Sequence, residues 1–442
     1  MQQQFVCIFE DKGFDSFASL TQTRAVWDLR CGAYTLGEKY KAKFKSSQLR
    51  FHLRSNLKAI YEENGFITEK LNPALDDGCW LFINGRSILA DETIAQMMST
   101  TDDAVFVSKG KPVGFKISGE NLQLVDPSSG EPIDYSCLDK LPRIEVEAQV
   151  IDYPWQLVKI AGEQISVDLE RANKDNPGNP PEDSCFIRVS ILNKLRITGK
   201  VDIRPGVIVD AEKHPVRLED GARIGAGVII DASEGPVWIA ENAQVEPGVV
   251  LMGPVYIGPH SIVRRHARIY DGCCLGPHCR VGGEVSGTIL HSYSNKQHSG
   301  YLGTSYIGSW VNLGAATDNS DLKNNYHPID VMINAKKINT GDLHIGTFIG
   351  DFTCTAIHTR LNSGTVIGVC CNIFGNDFPI KEVPSFTWYG SDGYQEYRFD
   401  KAIETVRTIM PRRNRELTPA LEVLLKDIFT GSESAREKVI ND

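Results

Sequence analysis

The sequence predicts two folded parts of different class in succession: a mixed α/β region, then a parallel β-helix of six-residue repeats closed by C-terminal helices. Three observations carry this. Short apolar runs separated by helical stretches fill the first part. From residue 239 an aliphatic residue recurs at every sixth position, and Leu218, Ile224 and Ile230 keep the same step upstream. Past residue 385 the repeat gives way to amphipathic helical patterns.

In the first part, residues 5–9, 80–83 and 104–107 are apolar runs suited to buried strands, and Asn84-Gly85 is a turn pair that closes the second. Residues 37–44 read as helix. Strands alternating with helices predict a parallel sheet. The segment ANKDNPGNPPEDS, residues 172–184, is polar and rich in Pro and Gly, and reads as a linker or, alternatively, as a surface loop. The expected domains are 1–185, 186–385 and 386–442.

The repeat runs through Leu218, Ile224 and Ile230, then Ile239, Val245, Leu251, Ile257, Val263, Ile269, Leu275 and Val281. Tyr301, Ile307 and Leu313 resume it, followed by Leu343, Ile349, Leu361, Ile367 and Ile373, with Thr355 filling one slot. A step of six fits neither a 3.6-residue helix nor a continuing strand of period two. It fits a coil of short strands, each followed by a tight turn, with one inward side chain per strand stacked at the same height in the next coil. Small residues such as Gly258, Gly276 and Gly308 suit those turns. The period fails at 283–300 and at 320–342. In a solenoid, interruptions leave the stack as loops, commonly on the binding face. The first holds Lys296 and His298, and the second begins just past Asp318 and Asn319. Beyond the repeat, Asp400 is a candidate cap for a helix carrying Ile403, Val406 and Met410, and Thr418-Pro419 opens a second helix with Leu421, Leu424, Leu425 and Ile428 on one face. Arg407, Arg412, Arg413 and Arg415 lie between them.

A net charge of -9 gives no support to a nucleic-acid partner. The first residues lack a basic stretch followed by an apolar one, and no run approaches a membrane span. Eleven cysteines without a Cys-x-x-Cys pair argue against zinc and fit reduced thiols. A cytoplasmic chain without membrane contact is expected.

The stretch Ser294-Asn-Lys-Gln-His298-Ser-Gly-Tyr-Leu-Gly303, followed by Ile307-Gly308 and Asn312-Leu-Gly-Ala-Ala-Thr317, resembles the acetyltransferase half of the bifunctional enzymes that make UDP-N-acetylglucosamine. The stretch Leu20-Thr-Gln-Thr-Arg24-Ala-Val-Trp-Asp-Leu-Arg30-Cys-Gly32 is similar to divergent sugar nucleotidylyltransferases joined to the same kind of β-helix. Phe82-Ile-Asn-Gly-Arg86, Tyr153-Pro-Trp-Gln-Leu157, Asn319-Ser-Asp-Leu-Lys-Asn-Asn-Tyr326 and Asn372-Ile-Phe-Gly375 add to the resemblance. It implies a Rossmann-like nucleotidylyltransferase-like α/β domain and a left-handed β-helix. It implies acetyl-CoA as co-substrate, a sugar 1-phosphate and a nucleoside triphosphate as further substrates, Mg2+ for nucleotidyl transfer, and a homotrimer. Two departures concern the first domain. Gly13 is the one glycine between Phe9 and Thr23, where the family has a glycine-rich loop, and Asn84-Gly85-Arg86 stand where it has a metal-binding Asp. In the β-helix, Ala316 replaces a family glycine.

Acetyl transfer to an amine needs a base, a stabilised oxyanion and a thioester held beside the nucleophile. His298 is the candidate base, since imidazole titrates near neutrality. Asn319 is a second catalytic candidate, its plain alternative being a capped turn. Lys296 and Arg268 are candidates for the sugar's phosphate, with Tyr301 beside them; the plain reading of the two cations is solvated surface charge. Ala316, Arg412 and Arg413 are candidates for coenzyme A. Thr23, Arg24 and Arg30 are candidates for nucleotide phosphates, and Asn84 and Arg86 for nucleotide or sugar. Three readings follow: a bifunctional acetyl- and nucleotidyltransferase, a glucose-1-phosphate nucleotidylyltransferase using UTP or dTTP whose β-helix serves assembly, or a non-catalytic subunit sensing a nucleotide sugar.

Overall fold

The computed structural model describes residues 4–65, 67–180, 187–189 and 194–441. The expected boundary at 185/186 and the end of the linker lie outside these residues. The chain divides into two compact units, one formed by Met1–Leu29, Tyr34–Tyr153 and Thr418–Leu425, the other by Arg30–Ala33, Pro154–Leu417 and Lys426–Asp442.

The first unit is built on β1 (Gln4–Phe9), α1 (Leu36–Lys41), β2 (Leu49–Phe51), α2 (Ser55–Asn64), β3 (Lys70–Leu71), β4 (Cys79–Asn84), α3 (Asp91–Ser99), β5 (Ala104–Ser108), β6 (Lys111–Ser118) and β7 (Arg143–Glu145). The sheet order is β7-β5-β6-β4-β1-β2-β3. β1 is parallel to both β2 and β4. The sheet is mixed rather than parallel, because β6 runs antiparallel to β4 and β5. Lys109 and Gly110 join β5 to β6 with φ of 50° and 77°, and a two-residue turn with both φ positive forces a hairpin. From β1 the chain builds outward to β3, then returns to β4 on the other side. The carboxyl ends of β1 and β4 therefore flank the crevice where open α/β sheets receive ligands.

The second unit is a parallel β-helix, preceded by a helix, Pro154–Asp175, that extends into the expected linker. Its first face stacks ten parallel strands, from Leu195–Ile197 to Glu382–Val383. The second face runs from Asp202–Ile203 to Asn295–Lys296, and the third from Ile187–Val189 to Tyr301–Gly303. Ile239 pairs with Ile257 and Ile257 with Leu275, so a regular coil takes 18 residues, three steps of six. The six-step residues Leu218 through Val281 are all buried in one continuous core. At Gly276 the next coil comes so close that a Cβ would meet the His291 carbonyl at 1.7 Å, which is why no larger residue fits there.

Several expectations are corrected. The first interruption is not extruded. The pairing Leu275↔Leu290 shows a coil shortened to 15 residues, with Val285 and Leu290 still in the core. The inward row then resumes on Leu302 rather than Tyr301. Leu343 is 42% exposed, and its place in the core is not taken until Ile349. The second interruption does leave the stack: Ile307 pairs with Ile349, and an antiparallel hairpin of Asp330–Ile333 and Lys336–Asn339 fills the gap. The second face continues past 385 through Thr387–Gly390, with Tyr389 in the core. Arg398 rather than Asp400 sits at the N-cap of Phe399–Ile409. Thr418 accepts a hydrogen bond from the Leu421 N–H, as expected of a cap. A third helix, Glu433–Asn441, was not anticipated.

Leu275→Ala leaves a cavity between Ile257 and Leu290. It should destabilise the β-helix by about 2–5 kcal/mol, read as an earlier urea midpoint by circular dichroism. Ile357→Ala, at a position 68% exposed, should shift that midpoint by less than about 0.5 kcal/mol.

Candidate functional site

Gln297-His298-Ser299-Gly300 forms the corner between the second face, at Asn295–Lys296, and the third, at Tyr301–Gly303. This corner places the His298 side chain in solvent. On the third face, Arg268 pairs across the ladder with Glu284, and Glu284 with Tyr301, so the three occupy one row. The Arg268–Glu284 contact is long, 3.9 Å, and exposed, which makes it worth little. Tyr301 donates its hydroxyl to Asp321 at 3.1 Å, and Thr304 donates to the same carboxylate oxygen at 2.9 Å. Burial, then the Asp321 charge, hold the phenol of Tyr301 above its usual range. Ala316 has φ 55° at the same corner one coil on, and donates its N–H to Ser299 O at 3.0 Å. Ala316 thus stands directly over the loop that carries His298.

The arginines converge on the neighbouring face. Arg413 donates to the Asn295 amide oxygen at 3.0 Å, and Arg415 to the Tyr293 hydroxyl at 3.2 Å. Arg264 joins Glu246 at 2.9 Å and Gln297 at 3.2 Å. Burial, then Arg280, Arg412 and Arg264 among its neighbours, lower the pKa of Arg413. Such crowding of cations is eased by an anion. Arg415 also faces an element the sequence reading missed. His260, His278, Tyr293 and Trp310 occupy successive first corners with φ between 56° and 62°, and their rings stack at 4.8, 4.8 and 4.4 Å. The 18-residue step from His260 to His278 was the available signal.

Two candidates belong to the interior instead. Lys296 is 1% exposed and pairs with Val281 on the inward row. Its ammonium donates to Gly282 O at 3.2 Å and His298 O at 3.1 Å, so it offers nothing to a phosphate. Asn319 is 5% exposed. Its amide accepts from Gly303 N–H at 2.7 Å and donates to Gly303 O at 2.9 Å. Both functions of that amide replace a strand partner. Polar identity suggested ligand contact; the inward phase of each strand decided otherwise.

In the first unit, Asp11 lies just past β1, and Asn84 ends β4 with Gly85-Arg86 after it, at the crevice. The Asp11 carboxylate accepts from Gly13 N–H at 3.0 Å and Asn84 Nδ2 at 2.8 Å, and from Arg86 Nε and Nη2 at 2.8 and 2.7 Å. Arg86 also donates to Ile151 O at 2.7 Å and Asp152 at 2.9 Å. Gly13 is required here, since a Cβ would lie 2.4 Å from the Arg86 guanidinium carbon. These residues do not fit Mg2+: the carboxylate at the crevice is saturated, and a fixed cation already stands against it. Among the described residues no group of three or more His, Cys, Asp or Glu side chains is arranged to hold a metal.

Thr23 and Arg24 are buried. Their segment is tied down by Arg54, which donates to Thr21 O at 2.6 Å and Arg24 O at 2.9 Å and pairs with the fully buried Glu10. Asp11, Glu10, Arg54 and Asp152 were not singled out by sequence, because each gains its role only when distant strands meet. Arg30 belongs to the second unit. There its guanidinium donates to His291 O at 3.3 Å and to Ala33 O, rather than facing the crevice.

Together these features define a mixed-sheet α/β unit and a hexapeptide-repeat β-helix on one chain. Residues 6–176 match the family described as sugar nucleotidyl transferase. Among curated relatives, the bifunctional protein GlmU of Trichormus variabilis is 31% identical over 130 residues, 28% of this chain and 28% of that protein. A bifunctional sugar-1-phosphate nucleotidylyltransferase/acetyltransferase of Sulfurisphaera tokodaii is 30% identical over 117 residues, 26% of this chain and 28% of that protein. The match spans 28% of the length of each of these relatives. Among solved structures, a UDP-N-acetylglucosamine acyltransferase of Francisella novicida is 12% identical with a TM-score of 0.25, over 58% of this chain and 87% of that one. The β-helix assignment above rests on strand register. No helix among the described residues is long and apolar enough to cross a membrane.

Breaking the Asp11–Arg86 pair from one side leaves a buried charge. Arg86→Met should cost about 3–5 kcal/mol, and adding Asp11→Leu should recover most of it in a double-mutant cycle by denaturant unfolding. Asn319→Ala orphans the Gly303 N–H, while the Gly303 carbonyl keeps the Ser305 hydroxyl at 2.7 Å. Its thermal transition should fall by the equivalent of about 1–3 kcal/mol.

Proposed function

We propose that this chain is a bifunctional transferase of nucleotide-sugar synthesis. Its β-helix unit moves acetyl from acetyl-CoA to the amine of an amino-sugar 1-phosphate. Its α/β unit joins the sugar 1-phosphate product to a nucleoside triphosphate and releases pyrophosphate. One observation carries the acetyl-transfer reading: an exposed His298 at a β-helix corner, beside the row of Arg268 and Tyr301 and under Ala316. The family match of residues 6–176 supports the second activity.

In this reading His298 takes the proton lost as the amine attacks the thioester carbonyl, and the tetrahedral intermediate then expels the CoA thiolate. Tyr301, neutral and aimed by Asp321, orients the sugar. Arg268, loosely paired with Glu284, exchanges that contact for the sugar's phosphate, which it can grip with two parallel N–H bonds. The small side chain of Ala316 leaves room for the thioester. Arg412 and Arg413 attract the phosphates of coenzyme A, as their crowding with Arg280 and Arg264 favours. Lys296 and Asn319 take no direct part. The apolar outward residues Ile208 and Ile229, 43% and 39% exposed on the same face as Arg268, support packing of like copies into a trimer. The scattered, mostly buried cysteines of the described residues fit a reducing cytoplasm.

For the α/β unit, the segment of Thr23 and Arg24 is proposed to line the nucleotide or sugar site, Asn84 and Arg86 serve it only by holding Asp11 in place, and no metal-assisted step is derived. A second reading of this unit alone, a nucleotide-sugar-binding domain without transfer, is favoured by the saturated Asp11 carboxylate.

The test is free-thiol release from acetyl-CoA with glucosamine 1-phosphate. His298→Ala should lower it by about 10²- to 10⁴-fold with an unchanged melting temperature; full activity in this variant would sink the assignment. Separately, UTP or dTTP with N-acetylglucosamine 1-phosphate, with and without magnesium, should release pyrophosphate. No release with any nucleotide leaves the binding-domain reading.

A further inference from the structure

The interior of the β-helix is apolar, and its second inward row runs Val245, Val263, Val281 and then Lys296. A buried ammonium is costly without compensation. Lys296 has no carboxylate within salt-bridge reach among the described residues, and burial lowers its pKa to about 8, with Asp318 acting weakly against this. A Met at this position would fill the row at least as well. Lys296 does what Met cannot: it donates to His298 O at 3.1 Å from inside the coil.

A second observation points to the same loop. Gly283 has φ 74°, and a Cβ there would lie 2.8 Å from both His298 O and Gly300 O, and 2.9 Å from Lys296 Nζ. The carbonyls of the corner are therefore drawn down onto the coil below, around the ammonium. Glu284 N–H holds Gly300 O from below at 3.2 Å, and Ala316 N–H holds Ser299 O from above at 3.0 Å. His298 itself lies between these fastenings.

We infer that Lys296 is a positioning residue: from inside the β-helix it anchors the main-chain carbonyl of His298 and so sets where the imidazole meets the reacting amine. This rests on the acetyl-transfer reading. A general base displaced by about 1 Å loses on the order of 100-fold in rate, so the anchor acts on turnover rather than on substrate affinity.

Lys296→Met keeps the apolar stem and removes the donor, and Lys296→Gln keeps a shorter N–H donor. Both are made in the full chain. Acetyl transfer from acetyl-CoA to glucosamine 1-phosphate is measured together with thermal unfolding and hydrogen–deuterium exchange of the peptide 297–303. Lys296→Met should lower kcat on the order of 10- to 100-fold, with KM and melting temperature held and faster exchange confined to that peptide. Lys296→Gln should lie between it and the parent. Unchanged exchange in the peptide, or unchanged kcat, overturns the proposal. So does a kcat loss accompanied by a lower melting temperature and faster exchange throughout the β-helix, which assigns Lys296 to the fold alone. A parent protein that releases no thiol, with exchange in the peptide still faster in Lys296→Met, removes the acetyl-transfer reading and the catalytic consequence while leaving the anchor itself in place.

Discussion

The parallel hydrogen-bond ladder between successive coils is the constraint on which the second unit depends. Each strand is two to four residues long, far too short to be stable alone, and gains its partners only from the coils above and below. The ladder fixes height, height fixes which side chain of each strand points inward, and the inward side chains then form continuous rows of Val, Ile and Leu. The rows exclude water and the ladder satisfies the main chain, so each makes the other possible.

The candidate site lies where that regularity is relaxed. Around residues 289–319 the coils change length, and polar groups take inward positions at Lys296 and Asn319, with a third, Thr355, past the extruded insertion. None is left unsatisfied. Thr355 accepts from Gly314 N–H at 3.0 Å and meets the Thr317 hydroxyl at 2.8 Å, Asn319 serves Gly303, and Lys296 serves Gly282 and His298. The residues of the candidate site, exposed His298 and Arg268 and half-buried Tyr301, therefore stand on a rigid polar framework rather than on a free loop.

The first unit shows the opposite arrangement. Its crevice lies where an open α/β sheet receives a ligand, yet the two strand ends carry Asp11 and Arg86, whose charges satisfy each other. The arginine takes the place beside the carboxylate that a divalent cation would need, and Gly13 lacks a side chain so that the guanidinium can lie against the backbone. The glycine there answers to an arginine within the fold, not to a phosphate.

Much of this was legible in the residues. The six-residue step determined the β-helix and most of its core, because an inward phase repeated every coil leaves a mark that composition cannot hide. The local motif around His298, and its place in the first break of the repeat, made it the reactive candidate. The paired strands 5–9 and 80–83 and the terminal helices were equally local. Tertiary structure decided the rest. It moved Lys296 and Asn319 inward, because inserting or removing a few residues shifts the phase of every later side chain, and phase across a break is set by which strands pair. It brought Asp11 to Arg86 and Arg413 to Asn295 across long separations in the chain. It also set large aromatic residues at corners that were expected to need small ones, where stacking on the coil below compensates a strained backbone.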